Sequence, residues 1–497
     1  MDKLRTIAGS IASSGRRISG ILAAQPANAA GEASAQPAEP EAAPTNAPAD
    51  PKAAEPNAGG EGKKRKEHAQ TSKERREYAR KRIMVRNQER KQEEEEKQPG
   101  DRPERTEPRL PKRKVALMLG FCGTDYQGMQ VNPNARTIEG ELFKAMCAAG
   151  AVSADNSTDQ SKVNLQRAAR TDKGVHAAGQ VVSLKMIIED PEIVQKINAH
   201  LPDQIRVWGY TRVMRSFNSK TMCDSRVYEY LLPTYVFMPP SEECARIADT
   251  VDFAERSLPE TSDEELREKR AFRASPELLQ YVRDAFGVYK GTHDFRNFTV
   301  TKGCTANNSK RFIHHFSVSD PMVIQGSEWL SLKVKGQSFM LHQIRKMVGL
   351  IILMARLNVP LKLIDILFGS ARVNVPKAPG LGLLLEAPMF DGYNRRTSSQ
   401  KEGTNGQVSF EPYRKEIDAF RQKYIYDNIV NTEVSERVFD EWVKHTEVYP
   451  EQYRYINKDC VIPESTIVVP GVSQPRPGGT AGNQSADSDS EVDNDDN

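Results

Sequence analysis

Cysteine is scarce: Cys122, Cys147, Cys223, Cys244, Cys304 and Cys460 are the six in 497 residues, with no Cys-x-x-Cys pair and no histidines grouped beside them. That spacing argues against a disulfide framework and a zinc ligand set, and leaves free thiols in a reducing compartment as the expectation. No apolar run reaches the length of a membrane span and no secretory signal pattern is present, so no membrane partner is expected. Charge of one sign is not in excess either. The net charge is +3, and partners have to be read from how charge is distributed. Glycine-rich phosphate loops and metal-ligand clusters are also missing, so neither cofactor nor metal is expected. Hydrophobic residues make up 38%, enough for a core but low for a wholly globular chain. Long tails account for that, around a length that allows two or three domains.

Residues 1–111 read as a low-complexity and basic region. Lys3, Arg5, Arg16 and Arg17 sit among serines, with Ile7, Ile11, Ile18 and Leu22 at near-helical spacing. A mitochondrial targeting segment and a disordered basic tail both fit. Residues 25–60, rich in Ala, Pro, Glu and Gly, cannot bury enough apolar surface to offset their ordering entropy. Lys63 to Lys66 and the Arg-rich stretch from Lys73 to Lys91 fit a nuclear import signal, a phosphate-binding arm or a solvated helix. Nucleus is the expected location, with mitochondrion the alternative. At the other end, residues 471–497 read as a disordered acidic tail.

Between the tails, strands and helices alternate. Val115 to Phe121 is a short apolar run that fits a buried strand. Thr137 is placed to cap a helix through about Ala149, with Glu139 and Glu141 favourable to its dipole. A helix over 191–200, a strand near 205–213 and a strand within 223–234 complete a first half, 112–234. The second half, 235–395, opens with a charged insertion at about 241–275, read as helical and mobile. Helix 278–289 follows, with Gly291 as its stop. His293 and Asp294 lie in a turn whose Phe295 and Phe298 read as core, and Trp329 to Lys335 alternates like a strand. A helix is predicted from about Met340, with Ile344, Met347, Val348 and Ile351 on one face. Residues 396–470 read as a charged helical extension.

The chemistry concentrates in Arg167 to Lys185, centred on Arg170-Thr171-Asp172-Lys173-Gly174-Val175-His176. One carboxylate sits among three cations in a loop that leads into a buried strand. Nearby cations favour the charged form of a carboxylate, which suits an acceptor or a nucleophile better than a general acid. A surface ion pair on a turn, contributing about 0–1 kcal/mol, is the plain alternative. Tyr228 and Tyr230 share one side of a strand, where packing alone explains them. Arg345 lies early in an apolar helix and needs a partner, because an unpaired buried charge is costly; snorkelling to the surface is the alternative. Leu383 opens a buried run, and Lys310-Arg311 opens a strand with a basic pair.

These words, taken together, resemble the TruA-type tRNA pseudouridine synthases, eukaryotic branch. The resemblance rests on Arg-Thr-Asp-Lys-Gly-Val-His-Ala from Arg170, Ala-Gly-Gln-Val-Val-Ser-Leu-Lys from Ala178, and Phe121 to Gln130 against a Tyr/Phe-x-Gly-x-x-Tyr-x-Gly-x-Gln loop. It also rests on Arg226-Val-Tyr-Glu-Tyr230, the word from Lys333 to Met354, and Val375 to Glu386. It is dense over about 113–395 and weaker to about 445. It implies an α+β fold of two ferredoxin-like halves forming one mixed sheet, with a central basic cleft. It implies isomerisation of uridine to pseudouridine in tRNA, with small nuclear or messenger RNA as further substrates. By it Asp172 acts at the sugar, through a covalent ester or an eliminated glycal. Arg345 pairs with Asp172, and Tyr228 stacks on the base. Arg170 fills the space of an extruded nucleotide or grips its phosphate. Lys173 and Arg311 touch RNA, and Leu383 borders the uracil pocket. A monomer is expected, with a homodimer the alternative. His176 stands where many eukaryotic relatives carry Ser, with no consequence expected for chemistry.

Overall fold

The computed structural model describes residues 110–132, 134–301, 308–398 and 405–468. The expectations for both tails fall outside these residues, as does Cys304. Ten strands form one sheet: β1 Lys112–Phe121, β2 Gln166–Arg167, β3 His176–Ile187, β4 Ile205–Arg212, β5 Ser225–Pro233, β6 Gly291–Asp294, β7 Lys310–Val318, β8 Met322–Ile324, β9 Ser327–Gly336 and β10 Leu383–Met389. The order is β4-β1-β3-β10-β5-β9-β7-β6, with β2 beside β3 and β8 beside β9. Neighbours pair antiparallel except β3 and β10, which run parallel through Leu384↔His176 and Leu385↔Ala177. With β10 between β3 and β5, and β5 also paired to β9, the strands form the one mixed sheet expected of an α+β chain.

The helices are α1 Ile138–Ala148, α2 Ile193–Ala199, α3 Glu242–Thr250, α4 Asp263–Ala271, α5 Pro276–Val288, α6 Gln343–Leu357, α7 Lys362–Leu367, α8 Asp391–Ser398, α9 Arg414–Phe420, α10 Asp427–Glu436 and α11 Val438–Val448. Thr137 caps α1 as predicted, its hydroxyl accepting from the Gly140 amide at 3.3 Å. On one face of the sheet, α1, α5 and α6 bury Leu142, Val282, Phe286, Met347 and Ile351. On the other, Ile417, Phe420, Ile425, Ile429 and Val430 of the carboxyl-terminal extension pack on Ala178, Leu231, Trp329 and Leu384. Burial on both faces explains why β1 and β3 read as apolar runs rather than alternating strands. α6 begins three residues later than predicted, because His342 adopts a left-handed backbone (φ 60°) at its N-cap.

The charged insertion is anchored rather than loose. Lys269 of α4 pairs with Asp440 of α11, Lys444 reaches Glu265 at 3.3 Å, and Arg256 meets Glu451 at 2.5 Å. Arg356 of α6 pairs with Glu447 of the same extension. Charges that look merely solvating along the sequence find partners about two hundred residues away.

One position in α5 offers a simple gain. Gly287 is exposed, and a Cβ added there meets nothing within 4 Å. Gly287→Ala is expected to raise stability by roughly 0.5–1 kcal/mol through reduced backbone entropy of the unfolded chain. A denaturant midpoint that moves upward with an unchanged slope is the check.

Candidate active site

The loop that carries Asp172 is held from both ends by the sheet. Gln166 and Arg167 pair with Ser183 and Val182. The Ala168 amide still donates to the Val181 carbonyl at 2.8 Å, and at Ala169 side chain replaces backbone. The buried Gln180 amide donates to the Ala169 carbonyl at 2.8 Å and its carbonyl accepts from the Ala169 amide at 3.2 Å. The chain then leaves the sheet through Arg170 to Gly174 and turns back at Gly174 (φ 75°).

Beneath this loop lies the 122–130 loop. The Met129 amide donates to the Thr171 carbonyl at 3.1 Å, and the Gly174 amide to the Tyr126 carbonyl at 3.3 Å. The Gly123 amide donates to His176 Nδ1 at 3.0 Å. Glycine is required here by close approach: a Cβ on Gly123 would lie 2.2 Å from the Val175 carbonyl oxygen, and one on Gly128 (φ 91°) 2.7 Å from that of Thr171. The two sequence words are thus halves of one support.

From β5, Arg226 fixes the same loop. Its guanidinium donates to the Ala168 carbonyl at 2.6 and 3.1 Å and to the Gln337 carbonyl at 3.2 Å. Tyr228 points to the same face. It is 8% exposed and stands edge-on to Phe339, with centroids 5.2 Å apart. Burial pushes its hydroxyl pKa up; the Asp172 charge adds to this and Arg226 opposes it. The phenol therefore stays neutral.

These elements enclose a cavity of about 620 Å³, within the size range of small-ligand sites. Its wall includes the cations Arg167, Arg170, Lys220, Arg226 and Arg311, and among the described residues Asp172 is its one carboxylate. Arg167 is oriented by the buried Glu139, its Nε 2.5 Å from Oε1. Tyr228 and Leu383 line the cavity, as do Phe339 to Ile344. Among the described residues no group of three or more His, Cys, Asp or Glu is arranged to hold a metal.

Asp172, Arg170, Tyr228, Arg311 and Leu383 are therefore brought together. Lys173 is exposed and is not among the lining residues, and neither is Arg345. The implied ion pair between Arg345 and Asp172 is not formed among the described residues. Arg345 Nε donates to the Ala378 carbonyl at 2.8 Å, while the Ala378 amide donates to the Arg345 carbonyl at 3.1 Å. The group from this stretch that does approach Asp172 is His342, its Nε2 3.5 Å from Oδ2, with a side chain 2% exposed against 22% for the aspartate. The left-handed backbone of His342 has a physical consequence here: it aims the imidazole at the loop, whereas Arg345, inside the helix, faces residues 376–380. Sequence reading missed His342, Arg226, Phe339 and Lys220. The first three lie in or beside quoted words, but only the fold says which way they point. His293 and Asp294 are structural as read: Arg296 and Ser309 hold Asp294, while Phe295 and Phe298 are fully buried.

His176 supports the site without lining it. It is fully buried, and burial pushes its imidazole pKa down from 6.5 to about 4. Its folded pKa is below the unfolded one, so the unfolded chain takes up the proton first as pH falls. Stability is then lost between pH 6.5 and about 4, by roughly 3 kcal/mol at the acid limit. His176→Asn, which keeps an acceptor but does not titrate, is expected to flatten this acid slope in denaturant titrations run across that interval.

The profile described as tRNA pseudouridine synthase matches residues 285–391. A Kluyveromyces lactis protein called tRNA pseudouridine synthase 1 is 44% identical over 401 aligned residues, spanning 70% of this chain and 72% of its own length. A Schizosaccharomyces pombe protein of the same name is 36% identical, over 72% of this chain and 87% of its own. The mouse protein called Pseudouridylate synthase 1 homolog is 41% identical, over 67% and 74%.

Proposed function

Since the chain belongs to the TruA-type tRNA pseudouridine synthase family and is an isomerase, we propose that it converts uridine to pseudouridine in tRNA at the cleft around Asp172. The observation that carries this reading is one carboxylate among cationic side chains, with a neutral, buried tyrosine ring beside it. In the reaction the bond between N1 of uracil and C1′ breaks and a bond between C5 and C1′ forms. The proton displaced from C5 is balanced by one gained at N1, so nothing is oxidised or reduced.

Asp172 acts at the sugar, as nucleophile on C1′ or as base on its neighbour. Tyr228 offers its ring to the base, where stacking contributes roughly 1–3 kcal/mol. Leu383 forms the adjoining wall. The exposed Arg170 occupies the space vacated by an extruded nucleotide or grips its phosphate. Lys173 and Arg311 meet phosphates at the rim. Arg345 is a positioning residue: it acts through residues 376–380, which lead into Leu383, and Tyr230 ties the same segment by donating to the Pro379 carbonyl at 2.6 Å. Extruding a paired uridine costs a few kcal/mol. Phosphate contacts offset it, so affinity should fall steeply with salt.

The test is nucleoside analysis after incubation of the protein with uridine-labelled tRNA. Pseudouridine is the expected product. Unchanged uridine would point to an RNA chaperone on this scaffold, and free uracil to an RNA glycosidase; either outcome overturns the proposal. The same assay on small nuclear and messenger RNA tests the wider substrate range.

A further inference from the structure

Directly opposite residues on antiparallel strands share a face of the sheet. Tyr228, Val334 and Phe316 are in register and point to the cleft side, while Val227, Lys335 and His315 point away from it. A bulge lies between Ile313 and His315. Ile313 is fully buried in the cleft-side core, so its neighbour Phe312 points to the opposite face, and Lys310, two residues earlier, with it. Over β3, β10, β5 and the start of β9 the carboxyl-terminal extension covers that face. The cover stops short of β7. Phe312 is 40% exposed, and the exposed His314 ring stands edge-on to it at 4.7 Å.

Charge around this ring is of one sign. Among the described residues Lys310, His315 and Lys335 enter no ion pair. The nearest carboxylate in register, Asp294 opposite Lys310, is already held by Arg296 and Ser309. The patch also adjoins the cleft. Arg311, next in sequence to Phe312, lines the cavity, and the Gln337 amide donates to the Phe312 carbonyl at 3.1 Å just before Ser338 enters the cavity wall.

We infer that this outer face of β7 and β9 is a second RNA-contacting surface, taking an unpaired segment of the same RNA whose uridine occupies the cleft. This rests on the RNA substrate assigned above. A strand leaving the cleft past Arg311 rounds the end of β7 and β9 onto Phe312. One base stacks on the phenyl ring, and Lys310, Lys335 and His315 face the phosphates. An exposed aromatic among cations is what sequence-tolerant single-strand binding requires, and the match of charge favours RNA over an apolar protein surface.

The test uses the full chain and fluorescently labelled whole tRNA, with affinity read by anisotropy at several salt concentrations and pseudouridine formation read separately. Phe312→Ala and Phe312→Leu should each weaken binding about tenfold, while Phe312→Trp keeps it, because the contact needs a flat ring. Lys310→Ala with Lys335→Ala should weaken binding and reduce the salt slope by about 1.5. The single-turnover rate at saturating RNA should not change in any of them. Affinity within twofold of the parent for both Phe312→Ala and the lysine pair overturns the inference. So does sedimentation showing that Phe312→Ala abolishes self-association while RNA binding is untouched, which would make the patch a protein interface. A parent protein that binds tRNA but forms no pseudouridine sinks the assigned reaction alone, because the binding measurements judge the patch independently.

Discussion

Asp172→Asn is expected to bind tRNA within about tenfold of the parent and to lose turnover by three or more decades. The substitution is close to isosteric, so the loop held by Gln180, Arg226 and the 122–130 support has no reason to move. What changes is chemistry. An amide is neither a competent nucleophile at C1′ nor a base, and no other carboxylate among the described lining residues can substitute. Binding draws on the cations and the Tyr228 ring, which remain, and loss of a negative charge next to phosphate works in favour of affinity. Single-turnover formation of pseudouridine and filter binding together decide it. A variant that turns over at a comparable rate removes Asp172 from the reaction; one that loses both properties equally assigns it to binding or folding.

Gly123→Ala carries the second large effect, at a residue that contacts no substrate. Its new Cβ would stand 2.2 and 2.6 Å from the carbonyl oxygen and carbon of Val175 and 2.9 Å from the Gly174 carbonyl carbon. All three are backbone atoms of the Asp172 loop, so no rotamer change relieves the contact. Either the loop moves or the hydrogen bond from Gly123 to His176 is lost. A displacement of about 1 Å at a reacting group costs on the order of a hundredfold in rate, and overpacking of this kind destabilises by about 1–3 kcal/mol. The expected result is a fall in kcat of about two decades, with a lowered denaturant midpoint and a smaller change in KM. The contrast with Gly287→Ala, expected to stabilise, separates glycine that is needed from glycine that is merely present.

Local signals served the reading well where one element decides the outcome. Thr137 with its two glutamates marked a helix start, the apolar run at 115–121 marked a strand, and the Asp172 word marked the loop. Tyr228 was legible through the resemblance of its word, since strand alternation put it on one side with Tyr230, where packing explains both. The partner of Asp172 was not. Arg345 and His342 lie three residues apart in one word, and which of them reaches the loop depends on a single left-handed residue at the start of α6. A histidine at positive φ carries no mark in the sequence. Nor does the anchoring of the insertion, since every pairing of Lys269 with Asp440 or Arg256 with Glu451 is between distant segments, and many other partners are equally charged. The close approach of Gly123 to Val175 was visible only as a glycine in a loop, with nothing to say what presses on it.

The place of β10 has a consequence for biosynthesis. It is translated after every other strand, yet it lodges between β3 and β5, two strands of the first half that do not pair with each other. A nascent chain halted before residue 383 carries the Asp172 loop and the Tyr228 strand, with the Arg226 hydrogen bonds to Ala168 between them but without the strand that fills the gap between β3 and β5. Catalytic competence is thus withheld until late in translation, and cutting the gene at the boundary between the halves leaves one fragment owing its central strand to the other.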